Sequence, residues 1–323
     1  MPRIRVVTTV ELDGQYRALR EEAGMLERGE RRLLACRGPD AATYVHDQLT
    51  NDVESLEPGH GCYAALLDRK AHMQADLRVL RIAEDELLLD TEQTGRDALG
   101  VHLGTYRVGR DVDFENLAEG HTVLSVIGPA AATATGVGPL APEHAHREVA
   151  IGGAGARAVA TDVGIDLICA RADLEAIEAT LGDAGVVRVD PAAAEIVRVE
   201  SGRPRFGLDM TTATIPQEAG INERAVNFDK GCYIGQETVA RLHYRGKPNR
   251  HLRGLRLSGQ VEPGAVVRLG DRELGTVGTA VLSPAHGPIA LAILRREAEP
   301  GSTVEIDANG ATVEAAVVEL PFV

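Results

Sequence analysis

The chemistry of this chain concentrates in one stretch, Lys230-Gly231-Cys232-Tyr233-Ile234-Gly235-Gln236-Glu237-Thr238-Val239-Ala240-Arg241. Gly231 and Gly235 bracket a short loop, and the residues after Gly235 read as a helix stopped by Gly246 and Pro248. Cys232 then precedes a helix N-terminus, where unpaired amide groups favour an anion, and Lys230 adds a positive charge beside it. Such surroundings favour the thiolate, which is a nucleophile and a ligand for soft metals. A cysteine that merely fills space in a tight loop fits the same spacing equally well. Glu237 and Arg241 stand four residues apart in the favourable order, and Arg245 continues the row. That row is either an ordinary solvated helix face or a cationic wall for a carboxylate or phosphate.

The elements around this loop can be read coarsely from apolar periodicity and turn residues. The run 31–36 predicts a strand, and Asp40 is placed to cap a helix carrying Tyr44, Val45 and Leu49 on one face. Strands are predicted over 62–67 and 73–82, joined by the polar segment Asp68-Arg69-Lys70-Ala71-His72. A similar order returns with strands over 122–127, 156–161 and 165–170, a helix from Asp173 to Gly182, and a strand over 186–189. Both halves suggest a ferredoxin-like, split-βαβ arrangement in an α+β fold. Asp190-Pro191 opens a further helix that breaks at Gly202 and Pro204. After Asn249 the helical period vanishes and short strands recur between turns, over 252–257, 265–269, 275–282, 289–294, 303–306 and 311–318. Asn309-Gly310 is a strong hairpin signal. These strands predict a small C-terminal antiparallel β-barrel over 250–323, after an α+β region of two subdomains over 1–249.

Composition narrows the function classes. The 323 residues carry 48 acidic and 34 basic side chains, a net charge of −14, which weighs against a general nucleic-acid binder. Aromatic residues make up 3%, with no Trp, too few for a single-strand stacking platform. The apolar share of 44% supports a sizeable core. No window has the roughly 20 apolar residues of a membrane helix, and Met1-Pro2-Arg3-Ile4-Arg5 lacks a signal-peptide core, so a cytoplasmic protein is expected. Cys36, Cys62 and Cys169 read as small buried hydrophobes in reduced form, with no CxxC and no metal site.

The Lys230 stretch closely resembles the KGCYxGQE signature, followed by Arg, of the YgfZ family of folate-binding proteins. The resemblance spans nearly the whole chain. It includes Gln48-Leu49-Thr50-Asn51-Asp52-Val53, Arg198-Val199-Glu200-Ser201-Gly202-Arg203-Pro204, Phe206-Gly207-Leu208-Asp209-Met210, Ile215-Pro216-Gln217-Glu218-Ala219-Gly220 and Leu320-Pro321-Phe322. The same blocks are shared more loosely with the T-protein of the glycine cleavage system, an aminomethyltransferase. The resemblance implies a GcvT-type fold that binds tetrahydrofolate or a derivative. It assigns ligand contacts to Glu200, Lys230, Tyr233, Gln236 and Arg241, with Glu200 holding the pterin. A carboxylate suits that task because it accepts two parallel N–H bonds from an amino-pyrimidinone edge.

Two positions separate the possible functions. T-proteins carry an Asp-Asp-Leu block on a strand where this chain has Ala75-Asp76-Leu77, so one carboxylate is kept and one lost. Proton handling at a folate nitrogen needs an acid or base within reach, and the string does not say whether Asp76 is the working one. Cys232 belongs to the YgfZ signature and is absent from T-proteins. On that ground the expectation is an accessory protein for assembly or repair of iron–sulfur clusters, serving client enzymes that include tRNA-modifying ones, with Cys232 and Asp76 as its reactive residues and with no direct nucleic acid or membrane partner. A classical enzyme is not expected; the alternative is a tetrahydrofolate-dependent aminomethyltransferase.

Overall fold

A computed structural model describes residues 9–308 and 310–322. The N-terminal Met1–Arg5 segment, read above for a signal sequence, and Asn309 of the predicted hairpin lie outside them. The chain forms two compact units, one from Met1–Arg31 with Leu117–Val197, the other from Arg32–Asn116 with Arg198–Val323. Among the described residues no helix is long and apolar enough to cross a membrane.

The first unit is built on a six-stranded sheet. Its order is Val187–Arg188, Gly24–Glu27, His121–Ile127, Gly164–Ala170, Ala154–Ala160, His146–Ile151. Leu124, Val126, Ile165, Leu167 and Cys169 pack against Ile177 and Leu181 of the helix Leu174–Asp183. The expected split-βαβ order is present, with two additions, the edge strand His146–Ile151 and one strand inside the sheet. Gly24–Glu27 enters between two of its strands, parallel to Val187–Arg188 and antiparallel to His121–Ile127. Four residues are too few to show a period of two. Gly24 is required there, because an added Cβ would lie 2.7 Å from Val189 and 2.8 Å from Leu19.

The second unit holds a five-stranded sheet and the barrel. The sheet order is Gly61–Leu67, Met73–Ala83, Glu86–Thr91, Arg32–Arg37, Asp113–Asn116, again a split-βαβ arrangement with an extra edge strand. The helices Ala41–Gln48 and Gln93–Tyr106 cover one face with Tyr44, Val45, Leu99 and Leu103. The Tyr44 hydroxyl donates to the Leu103 carbonyl at 2.6 Å, which satisfies the phenol inside the core. Asp40 does not cap the Ala41–Gln48 helix as expected. Its carboxylate instead accepts the Asp111 amide at 2.8 Å and ties two loops.

The barrel is closed and antiparallel, in the order Arg250–Leu257, Gly287–Arg295, Arg272–Ser283, Val266–Leu269, Thr303–Ala308, Ala311–Val318. Val304, Ile306, Ala315 and Val317 alternate inward and meet Leu255, Val267 and Leu294 in its core. Closure leaves no free edge strand. The expected fold class therefore holds: a mixed α and β N-terminal region followed by a small antiparallel barrel.

Candidate functional site

Asp76 stands on the strand Met73–Ala83, where side chains alternate between faces. Ala75, Leu77 and Val79 point into the apolar core under the two helices. Asp76 takes the opposite face, which is buried yet polar. The Tyr63 hydroxyl donates to its Oδ2 at 2.7 Å. Arg224, on the short helix Asn222–Ala225, lies over the Tyr63 ring at 5.0 Å. The Asn51 amide pins both partners, donating to the carbonyls of Tyr63 at 2.8 Å and Arg224 at 3.0 Å. On the same face Arg78 is paired directly opposite Asp90, a carboxylate with no solvent exposure, at 2.8 Å. Buried polar side chains grouped on a sheet face are uncommon in a purely structural core.

Glu200 sits in a second buried neighbourhood, at the end of the helix Pro191–Glu200. Its Oε1 accepts the Ser283 hydroxyl at 2.5 Å, and its carbonyl accepts the Phe322 amide at 2.9 Å. The barrel thus holds this residue through both side chain and backbone. Arg198, on the same helix, donates to Asp209 at 2.7 Å and to Thr279 at 2.8 Å. The Asp209 side chain is fully buried and also accepts the amides of Arg205 and Thr279. Two of the sequence blocks, around Arg198 and around Asp209, are thus joined in one buried lock onto the barrel strand.

The Lys230–Arg241 stretch is divided in role. The Lys230 ammonium donates to the carbonyls of His46, Leu49 at 2.6 Å and Asn51 at 3.2 Å. These are the last carbonyls of the Ala41–Gln48 helix and its exit, acceptors that a helix end leaves unpaired. An ammonium has three hydrogens, and all three are engaged, so its charge serves the helix end and not the Cys232 thiol. Burial pushes the amine down to about 8. The Tyr233 ring lies 5.2 Å from Nζ and joins Ala65, Met73, Phe206 and Val239 in a buried apolar cluster, where burial pushes its phenol up to about 12. Gln236 opens the helix Gln236–Arg245 and donates back to the Lys230 carbonyl at 3.5 Å. Gly235 has φ of 89°, and an added Cβ would meet the Asp68 carbonyl oxygen at 2.6 Å, so the loop leans on the Asp68–His72 turn. Cys232 and Arg241 are exposed. Of the other thiols, Cys36 and Cys169 are buried and Cys62 is half-buried; burial pushes them up to about 12, 11 and 12 respectively.

The structure therefore joins Lys230, Tyr233 and Gln236 in one loop assembly and places Asp76 and Glu200 in two other buried settings. Tyr63, Arg224, Ser283 and the Arg198–Asp209 lock were not singled out as site residues from the sequence. Tyr63 had a usable signal: in the 62–67 and 73–82 hairpin it falls on the same face as Asp76, two residues from Asp76's direct partner Ala65.

Comparison with known proteins places this arrangement. The GCVT N-terminal domain matches residues 9–230, and the glycine cleavage T-protein C-terminal barrel domain matches residues 250–323. The chain belongs to the GCVT family. An aminomethyltransferase of Exiguobacterium sibiricum is 28% identical, the match covering 95% of this chain and 88% of that protein. One from Mycobacterium tuberculosis is 27% identical, covering 96% of this chain and 88% of that protein. The crystal structure of the glycine cleavage system aminomethyltransferase T from Bartonella henselae superposes with a TM-score of 0.87 at 22% identity, covering 98% of this chain and 91% of that one. That likeness is one of fold. These relatives overturn the expectation of an iron–sulfur accessory protein outside classical enzymology. Full-length similarity runs to GCVT-family aminomethyltransferases, and the Lys230 charge expected to favour a Cys232 thiolate is committed to the helix-end carbonyls.

Proposed function

We propose that this GCVT-family chain is a tetrahydrofolate-dependent aminomethyltransferase, taking its one-carbon unit from the aminomethylated lipoyl arm of a carrier protein and releasing ammonia. The observation that carries the reading is the setting of Asp76. A carboxylate at position 75 would face the apolar core, where Ala75 is fully buried and its Cβ would lie 2.8 Å from a Cβ added to Gly95. The carboxylate this chain retains is the one on the polar face, oriented by the Tyr63 hydroxyl. Loss of the neighbouring aspartate thus leaves the proton-handling group in place.

The donor chemistry of the buried residues fits a reduced pterin. Glu200 is an acceptor suited to the N–H groups of an amino-pyrimidinone ring, and Asp76 is an acid or base suited to the amine that receives the carbon unit. When bound, tetrahydrofolate supplies the amine that accepts the one-carbon unit. Asp76 holds or moves a proton at its Oδ atoms, Tyr63 fixes the carboxylate's direction, and Glu200, braced by Ser283, orients the ligand. Arg241 offers an exposed cation for its acidic tail. Cys232 keeps its likeness to the YgfZ signature, but no transfer step needs a thiol.

The purified chain incubated with tetrahydrofolate and an aminomethylated lipoyl carrier is expected to yield methylenetetrahydrofolate and ammonia in equal amounts over many turnovers. Absence of turnover would remove the reading.

A further inference from the structure

The interval 238–261 holds six basic residues and no acidic one, in a chain that carries 48 acidic side chains. Part of that charge is used internally: Arg253 lies 3.9 Å from Glu319, and Arg256 stands over the Phe322 ring at 5.7 Å. The rest is exposed. Arg245 ends the Gln236–Arg245 helix, Lys247 follows it, and Arg250 begins the first barrel strand, all three open to solvent.

The barrel then adds charge where cross-strand pairing would favour the opposite sign. Arg250 is paired directly opposite Arg295, and the Arg296 amide donates to the Asn249 carbonyl at 2.9 Å, which brings a third exposed guanidinium to the same strand ends. Like charges directly opposite one another destabilise a sheet. Among the described residues none of Arg250, Arg295 and Arg296 has a carboxylate within ion-pair distance. Glu297 beside them is taken by Arg272 at 2.9 Å. Arg250's field reaches the half-buried Glu218 without such contact. The barrel therefore keeps two arginines face to face without an ion pair to either, and Tyr244, one residue before Arg245 in the chain, is 64% exposed.

We propose that Arg245, Lys247, Arg250, Arg295 and Arg296, with Tyr244, form a docking surface for the acidic face of the carrier protein that presents the aminomethyl arm. The identity of the partner rests on the reading above; the surface itself does not. Charge complementarity selects a negative partner. Arginine and tyrosine are the side chains that protein interfaces concentrate at their energetic centres. A long polyanion such as RNA, or an anionic bilayer, would meet the repulsion of a chain of net charge −14 beyond the patch. A carrier protein needs to bring only a local acidic face.

The test uses the full chain and a fluorescently labelled, lipoylated carrier protein, with binding read by anisotropy at about 50 and 300 mM salt. Arg295→Glu faces Arg250 and turns the repulsive pair into an attractive one, so its melting temperature is expected to equal or exceed that of the wild type. Its affinity for the carrier is expected to fall at least tenfold at low salt, and wild-type affinity to fall steeply at high salt. Turnover of a free, protein-less aminomethyl-dihydrolipoyl donor is expected to be unchanged by the substitution. Carrier binding altered less than twofold, no wild-type binding at low salt, or tighter salt-dependent binding of single-stranded RNA or phosphatidylserine vesicles would each overturn the proposal. If the carrier docks through this patch while neither donor is turned over, the surface stands and the enzymatic reading falls.

Discussion

At the scale of single residues, the two reactive side chains marked in the sequence separate cleanly. Asp76 is buried beside a hydroxyl donor, whereas Cys232 is exposed on a loop whose neighbouring lysine is committed elsewhere. Asp76→Asn keeps the shape and removes the proton-handling charge, and positioned acid–base groups contribute roughly 10²–10⁴ in rate. The expected outcome is a drop of that order in kcat with little change in folate affinity. Cys232→Ser is expected to leave kcat within about twofold, because no step of the transfer uses sulfur. Measured side by side, a Ser variant that loses activity while the Asn variant keeps it would reverse the assignment. The sequence supplied Asp76 and Glu200 through their motifs but not their supports. Ser283, which braces Glu200, lies 83 positions away in a strand whose own pattern shows nothing unusual. Lys230 was open to misreading for the same reason, since its three carbonyl acceptors lie some 180 positions earlier in the chain.

At the scale of elements, legibility followed the strength of local punctuation. The barrel strands were readable because glycine and proline break them and the strand Thr303–Ala308 alternates between exposed and buried over its first five residues. Glu86–Thr91 was not, because Leu87-Leu88-Leu89 is a continuous apolar run with no alternation to follow. The helix Gln93–Tyr106 was hidden by Gly95, Gly100 and Gly104, residues that lower helix propensity. Gly95 is present for a tertiary reason, the close approach of Ala75, which no window of sequence contains. The Arg198–Asp209 lock shows how elements distant in the chain are fixed together. Removing one member of a buried ion pair strands the other, at a cost of about 3–5 kcal/mol. Asp209→Ala is therefore expected to lower the free energy of unfolding by about that amount in urea titrations. An exposed control, Asp229→Ala, is expected to change it by less than about 0.5 kcal/mol. Equal values for the two would mean that the lock contributes nothing net.

At the scale of the whole molecule, the buried titratable groups set an alkaline limit with a definite sign. Cys36, Cys62, Tyr44 and Tyr233 are each pushed up to about 12, and Cys169 to about 11, by burial. A group whose folded value is raised contributes stability below its unfolded value and loses it as pH rises towards the folded one. For the thiols the loss begins near 9, their ordinary value, and runs to about 12. Lys230 acts in the opposite direction. Its amine is pushed down to about 8 from an ordinary 10.5, so between those values the unfolded chain holds a proton that the folded chain has released, and stability from this group rises with pH. Three thiols and two phenols outweigh one amine, so the wild-type protein is expected to lose stability above pH 9. Lys230→Met removes the single opposing group while leaving the folded-state values of Cys62 and Tyr233 above the window. The gap in unfolding free energy between wild type and Lys230→Met is therefore expected to widen in favour of the wild type from pH 8 to 10.5, by at most about 3 kcal/mol, since each tenfold change in proton affinity is worth roughly 1.4 kcal/mol. Urea titrations at pH 7.5, 9 and 10.5 decide the point: a gap that stays constant or narrows would mean that the helix-end carbonyls hold the Lys230 proton against its burial.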